Sequence, residues 1–174
     1  MALALSGTSN GSLNNLSLSG NTATIVDTGR ADSILQAKFG TSSTQVSNAT
    51  SSYVASSVSV SITPTSSSNY LYVIWQGHFY KNNTGGAFGF NIFQDGTQVT
   101  TSYTDGGGPA DFLTDVSTRV WTIATKQHYG LAGTTSSTTF DLRFRRYQTN
   151  GTVVANGNSD SLGQETMSVW EIKA

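Results

Sequence analysis

The sequence predicts an all-β protein built as an antiparallel sandwich or barrel. Apolar and polar residues alternate with a period of two in several segments, as in residues 57–62, SVSVSI. Turn signals such as Asp95-Gly96 separate these segments at short intervals. No stretch of ten or more residues has the apolar spacing of an amphipathic helix. Many short strands joined by Gly, Asn and Asp turns are typical of this fold class.

The first 32 residues differ from the rest and predict an extended N-terminal arm, followed by a β domain over residues 33–174. The arm carries isolated leucines among Gly, Ser and Asn, too few to close a core of their own. We expect these leucines to dock against the body of the chain or a neighbouring subunit; a floppy terminus is the alternative. The candidate partner-binding residues are Leu3, Leu5, Leu13, Leu16 and Leu18.

The β domain opens with a strand over residues 33–39 and continues into a strand striped with serine. In the second strand the alternation places the apolar residues towards a core and the serines on the surface. Pro64, which has no N–H, ends it. Residues 69–80 are the most hydrophobic run and predict a central strand covered on both faces. The inward set is Val58, Val60 and Ile62, and the outward set is Ser57, Ser59 and Ser61.

The second half of the β domain contains two turn signals and three further strand regions. Asp95-Gly96 predicts a hairpin within residues 87–103, and Asn150-Gly151 predicts a hairpin-type turn into residues 152–157. Residues 118–132 form another strand region. Residues 134–148 place Phe140, Leu142 and Phe144 on one face and Asp141, Arg143 and Arg145 on the other. In the closing strand, residues 165–174, Met167 and Val169 face opposite to Trp170 and Ile172.

Composition excludes several classes of protein. The chain has no cysteine, which removes disulfide scaffolds, Cys-ligated zinc sites and thiol nucleophiles. Charged residues are 11% of the chain, against about 25% in an average domain, and the net charge is −1. We therefore expect no nucleic-acid partner and no membrane surface, because both require clustered basic residues. No apolar run reaches the length of a transmembrane helix, and the start lacks the basic region of a secretory signal.

Candidate catalytic and metal-binding residues are few, and the sequence predicts neither an enzyme nor a cofactor. The segment Gly7–Gly11 matches a G-x-S-x-G nucleophile elbow but lacks the flanking strand and helix, so we interpret it as a chance match. His78 and His128 lie in strand regions beside aromatic residues and are expected to be structural. Three aspartates could bind calcium but lack the spacing of a dedicated loop, which favours a solvated loop: Asp105, Asp111 and Asp115.

Two further sets of side chains each have two interpretations. Tryptophans within alternating strands are expected in the core, although lectins use exposed aromatic residues to stack on sugars. Basic residues on one strand could grip an acidic partner subunit or protect an edge strand from unwanted pairing. The tryptophans are Trp75, Trp121 and Trp170, and the basic residues are Arg143, Arg145 and Arg146.

Short blocks of the chain resemble the β-rich domain of structural proteins of tailed bacteriophages, especially phages of cyanobacteria and marine bacteria. They are the opening ILQ, the SYVASSVSVSITP strand, the FQDGT turn, TTSSTTFDLRFR and the closing MSVWEIKA. The resemblance spans residues 33–174. It implies a jelly-roll-like β-sandwich that assembles as a homotrimer, either as a capsid decoration (cement) protein or as a tail-fibre knob.

The short arm favours a capsid decoration protein that bridges the major capsid protein on the outer surface of the virion. A tail fibre normally has a long shaft before its knob, and 32 residues leave no room for one. The alternative is a tail-fibre or receptor-binding knob that recognises a host-surface glycan through the loops at residues 104–111 and 150–160. Tyr103, Phe112 and Tyr147 lie near these loops, which a rigid scaffold would present.

Overall fold

The computed structural model describes residues 23–24, 32–82, 87–101, 104–105, 108–109, 112–113, 120–147, 151–156 and 163–174. These ranges contain strands and no helix, which confirms the predicted all-β class. The strands are β1 (Ala23–Thr24), β2 (Ile34–Ser42), β3 (Val46–Asn48), β4 (Val54–Ile62), β5 (Tyr70–Asn82), β6 (Ala87–Gln94), β7 (Thr97–Gln98), β8 (Thr104–Asp105), β9 (Gly108–Pro109), β10 (Phe112–Leu113), β11 (Val120–Leu131), β12 (Thr138–Tyr147), β13 (Thr152–Ala155) and β14 (Glu165–Ile172).

Two antiparallel sheets pack face to face. Sheet I has the order β2–β14–β5–β11, and sheet II has the order β4–β12–β6–β7. Eight strands in these two orders, with the chain crossing repeatedly between the sheets, form a jelly roll. Short strands extend sheet I at its edges. Strand β1 pairs with β2. Strand β13 pairs with the C-terminal part of β5, past the end of β14, and β3 pairs with β13.

The core lies between the two sheets and follows the period-two pattern of the sequence. The inward residues of β4 and β12 are almost fully buried, as predicted, and Trp75 and Phe79 of β5 meet them from sheet I. The ring of Phe90 lies 5.6 Å from that of Trp75 and 5.2 Å from that of Phe79. An interlocking aromatic core of this kind stabilises the sandwich without disulfides or metal.

The Asp95-Gly96 turn is confirmed, whereas the second predicted hairpin is wrong. Asp95 and Gly96 have φ of 47° and 82°, the left-handed conformation that a type I′ turn requires, and Gln94 pairs with Thr97 across it. Gly151 also has a positive φ, 83°. However, β13 pairs with β5 and β3 rather than with β12. The chain therefore crosses from sheet II to sheet I at this turn.

Two expected surfaces also differ from the structure. Ser59 and Ser61 are exposed as predicted, but Ser57 is half-buried. A bulge lies here, because three residues of β4 stand opposite Leu142 of β12 and interrupt the regular pairing around Ser57. Strand β5 does pair on both edges, but it is covered on one face only: Tyr72 and Ile74 are half-buried on the outside of sheet I.

Candidate interaction surface

The outer surface of sheet I is rich in apolar and aromatic residues, and none of its described outward side chains is charged. The backbone register places its outward residues in rows that cross all four strands. We call this surface the aromatic face. It consists of Ile34, Ala37, Phe39, Thr41, Tyr70, Tyr72, Ile74, Gln76, His78, Ile123, Thr125, Gln127, Tyr129, Leu131, Thr166, Ser168, Trp170 and Ile172.

The aromatic face contains two groups of rings in contact. Tyr129 stacks on Tyr70 with ring centroids 4.9 Å apart and 10° between the ring planes, and Tyr72 approaches its edge at 6.2 Å. On the neighbouring strands, Phe39 and Trp170 make an edge contact at 5.8 Å. Because Trp170 and Tyr72 stand opposite each other in the register, the two groups form one continuous patch.

Polar atoms of the aromatic face bond to one another. The Tyr72 hydroxyl donates to Gln127 Oε1 at 2.9 Å, and Trp170 Nε1 donates to Ser168 Oγ at 3.0 Å. A partner could therefore cover these groups without leaving their donors unpaired, which is the main cost of burying polar atoms.

The outer surface of sheet II, in contrast, carries charged side chains. Arg143 is paired with Asp141 at 2.7 Å and lies over the ring of Phe93 at 4.6 Å, and Arg145 lies over Tyr53 at 4.7 Å. Their strand, β12, pairs with β4 on one side and β6 on the other. The prediction that these cations protect an edge strand is therefore wrong. They hold aromatic rings against sheet II.

The bulge in β4 opens a groove of about 350 Å³ on sheet II. Residues 55–59 of β4 and the Asp141–Arg143 pair line it, together with Asp95 at the β6–β7 turn. Both Asp95 carboxylate oxygens accept hydrogen bonds, from the Thr138 hydroxyl at 2.6 Å and the Thr139 N–H at 2.8 Å. The lining thus combines mainly apolar surface with a few polar groups held in place by neighbouring residues.

Two buried glutamates occupy opposite ends of β14. Glu165 accepts hydrogen bonds from Trp75 Nε1 at 2.9 Å, from the Ser57 hydroxyl at 2.9 Å and from Asn156 Nδ2. Its side chain thus joins β14 to β4, β5 and the turn after β13. These contacts explain why the serine at position 57 faces inward.

Glu171 forms a similar cluster at the other end of the strand. It accepts hydrogen bonds from Asn69 Nδ2 at 2.6 Å, from Gln36 Nε2 at 2.6 Å and from both N–H and hydroxyl of Thr65 at 2.8 and 2.7 Å. Burial raises the pKa of the Glu171 carboxyl, but these donors outweigh it and hold the pKa below its ordinary value. Neither glutamate was predicted to be buried, although both alternate with Met167 and Val169 on the inward side of β14.

The histidines and tryptophans divide between the core and the surface. Trp75 is fully buried, as predicted, whereas Trp170 lies half-buried on the aromatic face; the Trp121 side chain is outside the described residues. His128 points inward, and burial lowers its pKa more than a hydrogen bond with the Val99 backbone raises it. His78 lies on the aromatic face and lines a depression of about 320 Å³ with Gln76 and Ile123.

Several candidates lie wholly or partly outside the described residues. These are the G-x-S-x-G match at residues 7–11, the five arm leucines, the side chains of the three loop aspartates, and most of the loops at residues 104–111 and 150–160. Of the arm, Ala23–Thr24 is described as β1, where Ala23 pairs with Ala37 and Thr24 with Gln36. The arm thus adds a strand to the edge of sheet I, beside the aromatic face.

Within the described ranges, no group of three or more His, Cys, Asp or Glu residues is placed to hold a metal ion. The same ranges contain no helix of the length and hydropathy that a membrane crossing needs. No protein-family model and no curated protein matches the chain.

Proposed function

We propose that the chain is a structural protein of a tailed-phage virion: a homotrimeric decoration protein that stabilises the capsid by bridging major capsid proteins. The observation that carries this proposal is the aromatic face. The sandwich already has a complete core, yet a whole sheet surface is uncharged and rich in aromatic residues. Surfaces of this composition are typical of protein–protein interfaces. The resemblance of short blocks to phage structural proteins is the reason for proposing a phage particle as the assembly.

The arm supports a role in docking. Strand β1 shows that arm residues pair with the edge of sheet I at Ala37 and Gln36. In the proposed function, the preceding segment with Leu3, Leu5, Leu13, Leu16 and Leu18 reaches a neighbouring capsid subunit. Extended segments that order on binding cover a large partner surface for their length.

Two arrangements of carboxylates support a non-enzymatic role. Glu165 and Glu171 are both fully buried and accept several hydrogen bonds each, so their oxygens are already committed to holding strands together. Asp95 and Asp141 are likewise engaged by neighbouring donors. These four carboxylates thus act as structural links rather than as acids or bases that reach a substrate.

The test is the copy number of the chain in purified particles of the phage that encodes it. Quantitative mass spectrometry against the major capsid protein should find hundreds of copies per particle. A few tens or fewer would favour the tail. Complete absence from particles would overturn the virion assignment.

Glycan recognition at a tail tip is the second candidate, and the groove on sheet II favours it. The exposed Ser59 and the Asp141–Arg143 pair offer hydrogen-bonding groups beside apolar surface, a combination that suits a sugar. Screening the wild type against an array of bacterial surface glycans tests it, with Arg143→Ala expected to lose the signal. Binding that Arg143→Ala leaves intact would place the glycan elsewhere, and the absence of any binding would remove this candidate.

A further inference from the structure

We infer that a second copy of this chain covers the aromatic face, with β11 as the strand at the contact. This inference rests on the proposed assembly role and deepens it by naming the surface through which subunits meet. Three features of the described residues support it: exposed apolar side chains, an unpaired strand edge and the absence of charge.

Exposed apolar side chains are concentrated on β11. Ile123, Tyr129 and Leu131 are 66%, 55% and 59% exposed, and they alternate with inward residues along one strand. Ile34 and Phe39 of β2 are also exposed on sheet I. Five of the six large hydrophobic residues exposed in the described part of the chain therefore belong to this sheet. Covering them removes the most unfavourable water contacts of the sandwich.

Strand β11 is also an edge. It pairs with β5 over all twelve of its residues, and within the described ranges its other side has no strand partner. Natural edge strands are protected by charged residues that point outward or inward, by a proline or by a bulge. Strand β11 has no proline and pairs with β5 without a register shift. Its single charged residue, Lys126, points inward, where its ammonium donates to the Thr101 carbonyl at 3.0 Å and lies over Phe90. Because that charge is held against sheet II, the outward surface of β11 is left uncharged and open to a partner.

The absence of charge favours an identical partner. Around the three-fold axis of a trimer, residues near the axis face the same residues of the other copies, so a charge there would repel its own like. The aromatic face carries no Asp, Glu, Lys or Arg. Four strands about 4.8 Å apart and about ten residues long present roughly 600 Å². This area approaches the approximately 800 Å² that each partner buries in a standard interface, and flanking side chains extend it.

The test compares the mass in solution of the wild-type chain with that of Thr125→Glu/Gln127→Glu, by light scattering over a dilution series. Both positions are polar and exposed on the aromatic face, so the substitutions add charge while every aromatic and large aliphatic side chain of the face stays in place. Glutamate at position 127 also keeps the acceptor for Tyr72. The matched control is Ser59→Glu/Ser61→Glu, which adds the same charge to the exposed side of β4 on sheet II.

We expect the wild type and the control to form multimers, and Thr125→Glu/Gln127→Glu to raise the dissociation constant at least about a hundredfold. A monomeric wild type, an unaffected Thr125→Glu/Gln127→Glu variant, or equal weakening by the control would overturn the inference. Multimers that dissociate when residues 2–30 are deleted would also overturn it, because the arm would then be the occupant.

A measurement on the wild type alone guards against a variant that fails to fold. Amide hydrogen exchange along residues 122–131 should slow as the protein concentration rises, and concentration-independent exchange would count against the inference. A multimer that Thr125→Glu/Gln127→Glu leaves unaffected, from a chain abundant in purified particles, would overturn this inference and leave the proposed function standing. If the chain were a multimer held by the aromatic face but were absent from particles, the inference would stand and the proposed function would be overturned.

Discussion

The indole N–H of Trp75 donates a hydrogen bond to Glu165 Oε2 at 2.9 Å, and both side chains are completely buried. The second oxygen, Oε1, accepts from the Ser57 hydroxyl and from Asn156 Nδ2. One carboxylate therefore joins strands of both sheets at a single point. Within the described residues no salt bridge to Glu165 is found, so neutral donors alone stabilise its buried oxygens.

Glu165→Gln should destabilise the sandwich by about 1–3 kcal/mol. The amide has the same shape but only one acceptor oxygen, and its NH₂ group must face either Trp75 or the Ser57 and Asn156 donors. At least one buried donor then loses its acceptor. Urea unfolding followed by circular dichroism measures the change. Gln164→Ala, at the exposed neighbouring position, should stay within about 0.5 kcal/mol of the wild type. Equal stability of all three proteins would show that the Glu165 contacts contribute little.

Ser57→Ala and Ser59→Ala form a matched pair within the serine-striped strand. Ser57 Oγ contacts Glu165, the Thr44 carbonyl and Asn156 at 2.9, 2.8 and 3.0 Å, whereas Ser59 is exposed. We expect Ser57→Ala to cost about 1–2 kcal/mol and Ser59→Ala less than about 0.5 kcal/mol. The same unfolding assay compares them. A larger loss for Ser59→Ala would contradict the inward position of Ser57.

The period of two in the sequence was enough to predict the fold class and most of the strands. It correctly placed Val58, Val60 and Ile62 inside, and the Asp95-Gly96 signal correctly located a hairpin. It failed at Ser57, because a bulge interrupts the regular pairing at residues 56–58 without leaving a mark in the sequence pattern. Local patterns also carry no information about which sheet a strand joins, so the Asn150-Gly151 turn was mistaken for a hairpin.

The aromatic face was harder to predict than the core. Trp170 and Tyr72 lie in hydrophobic runs, which favoured a buried interpretation of both. Their position on one outer surface depends on the pairing of β14 with β5, which brings together residues about a hundred positions apart in the chain. The uncharged surface that the alternation did indicate is that of the β4 serines, whose sheet carries the Asp141–Arg143 pair.

Glu171 should make stability dependent on pH in the acid range. Because hydrogen bonds hold its folded pKa below the ordinary value, the unfolded chain binds a proton first as pH falls. Its contribution is thus present above the unfolded pKa and is lost as pH falls through the folded pKa. Glu171→Gln cannot ionise, so it should be less stable than the wild type near neutral pH, and the two should converge at low pH. Urea unfolding at a series of pH values measures this, and a constant difference would contradict it.

Deleting residues 2–30 should separate assembly on the particle from folding of the sandwich. The deletion removes the five leucines and the β1 pairing with β2, but none of the residues of the core between the sheets. We therefore expect the truncated chain to fold and to keep its oligomeric state, and to lose binding to capsids stripped of the protein. Cosedimentation with such capsids measures binding, with the full-length chain as the control. If the truncated chain decorated particles as well as the full-length chain, the arm leucines would not be the capsid-binding residues, and contact would have to come from the sandwich itself.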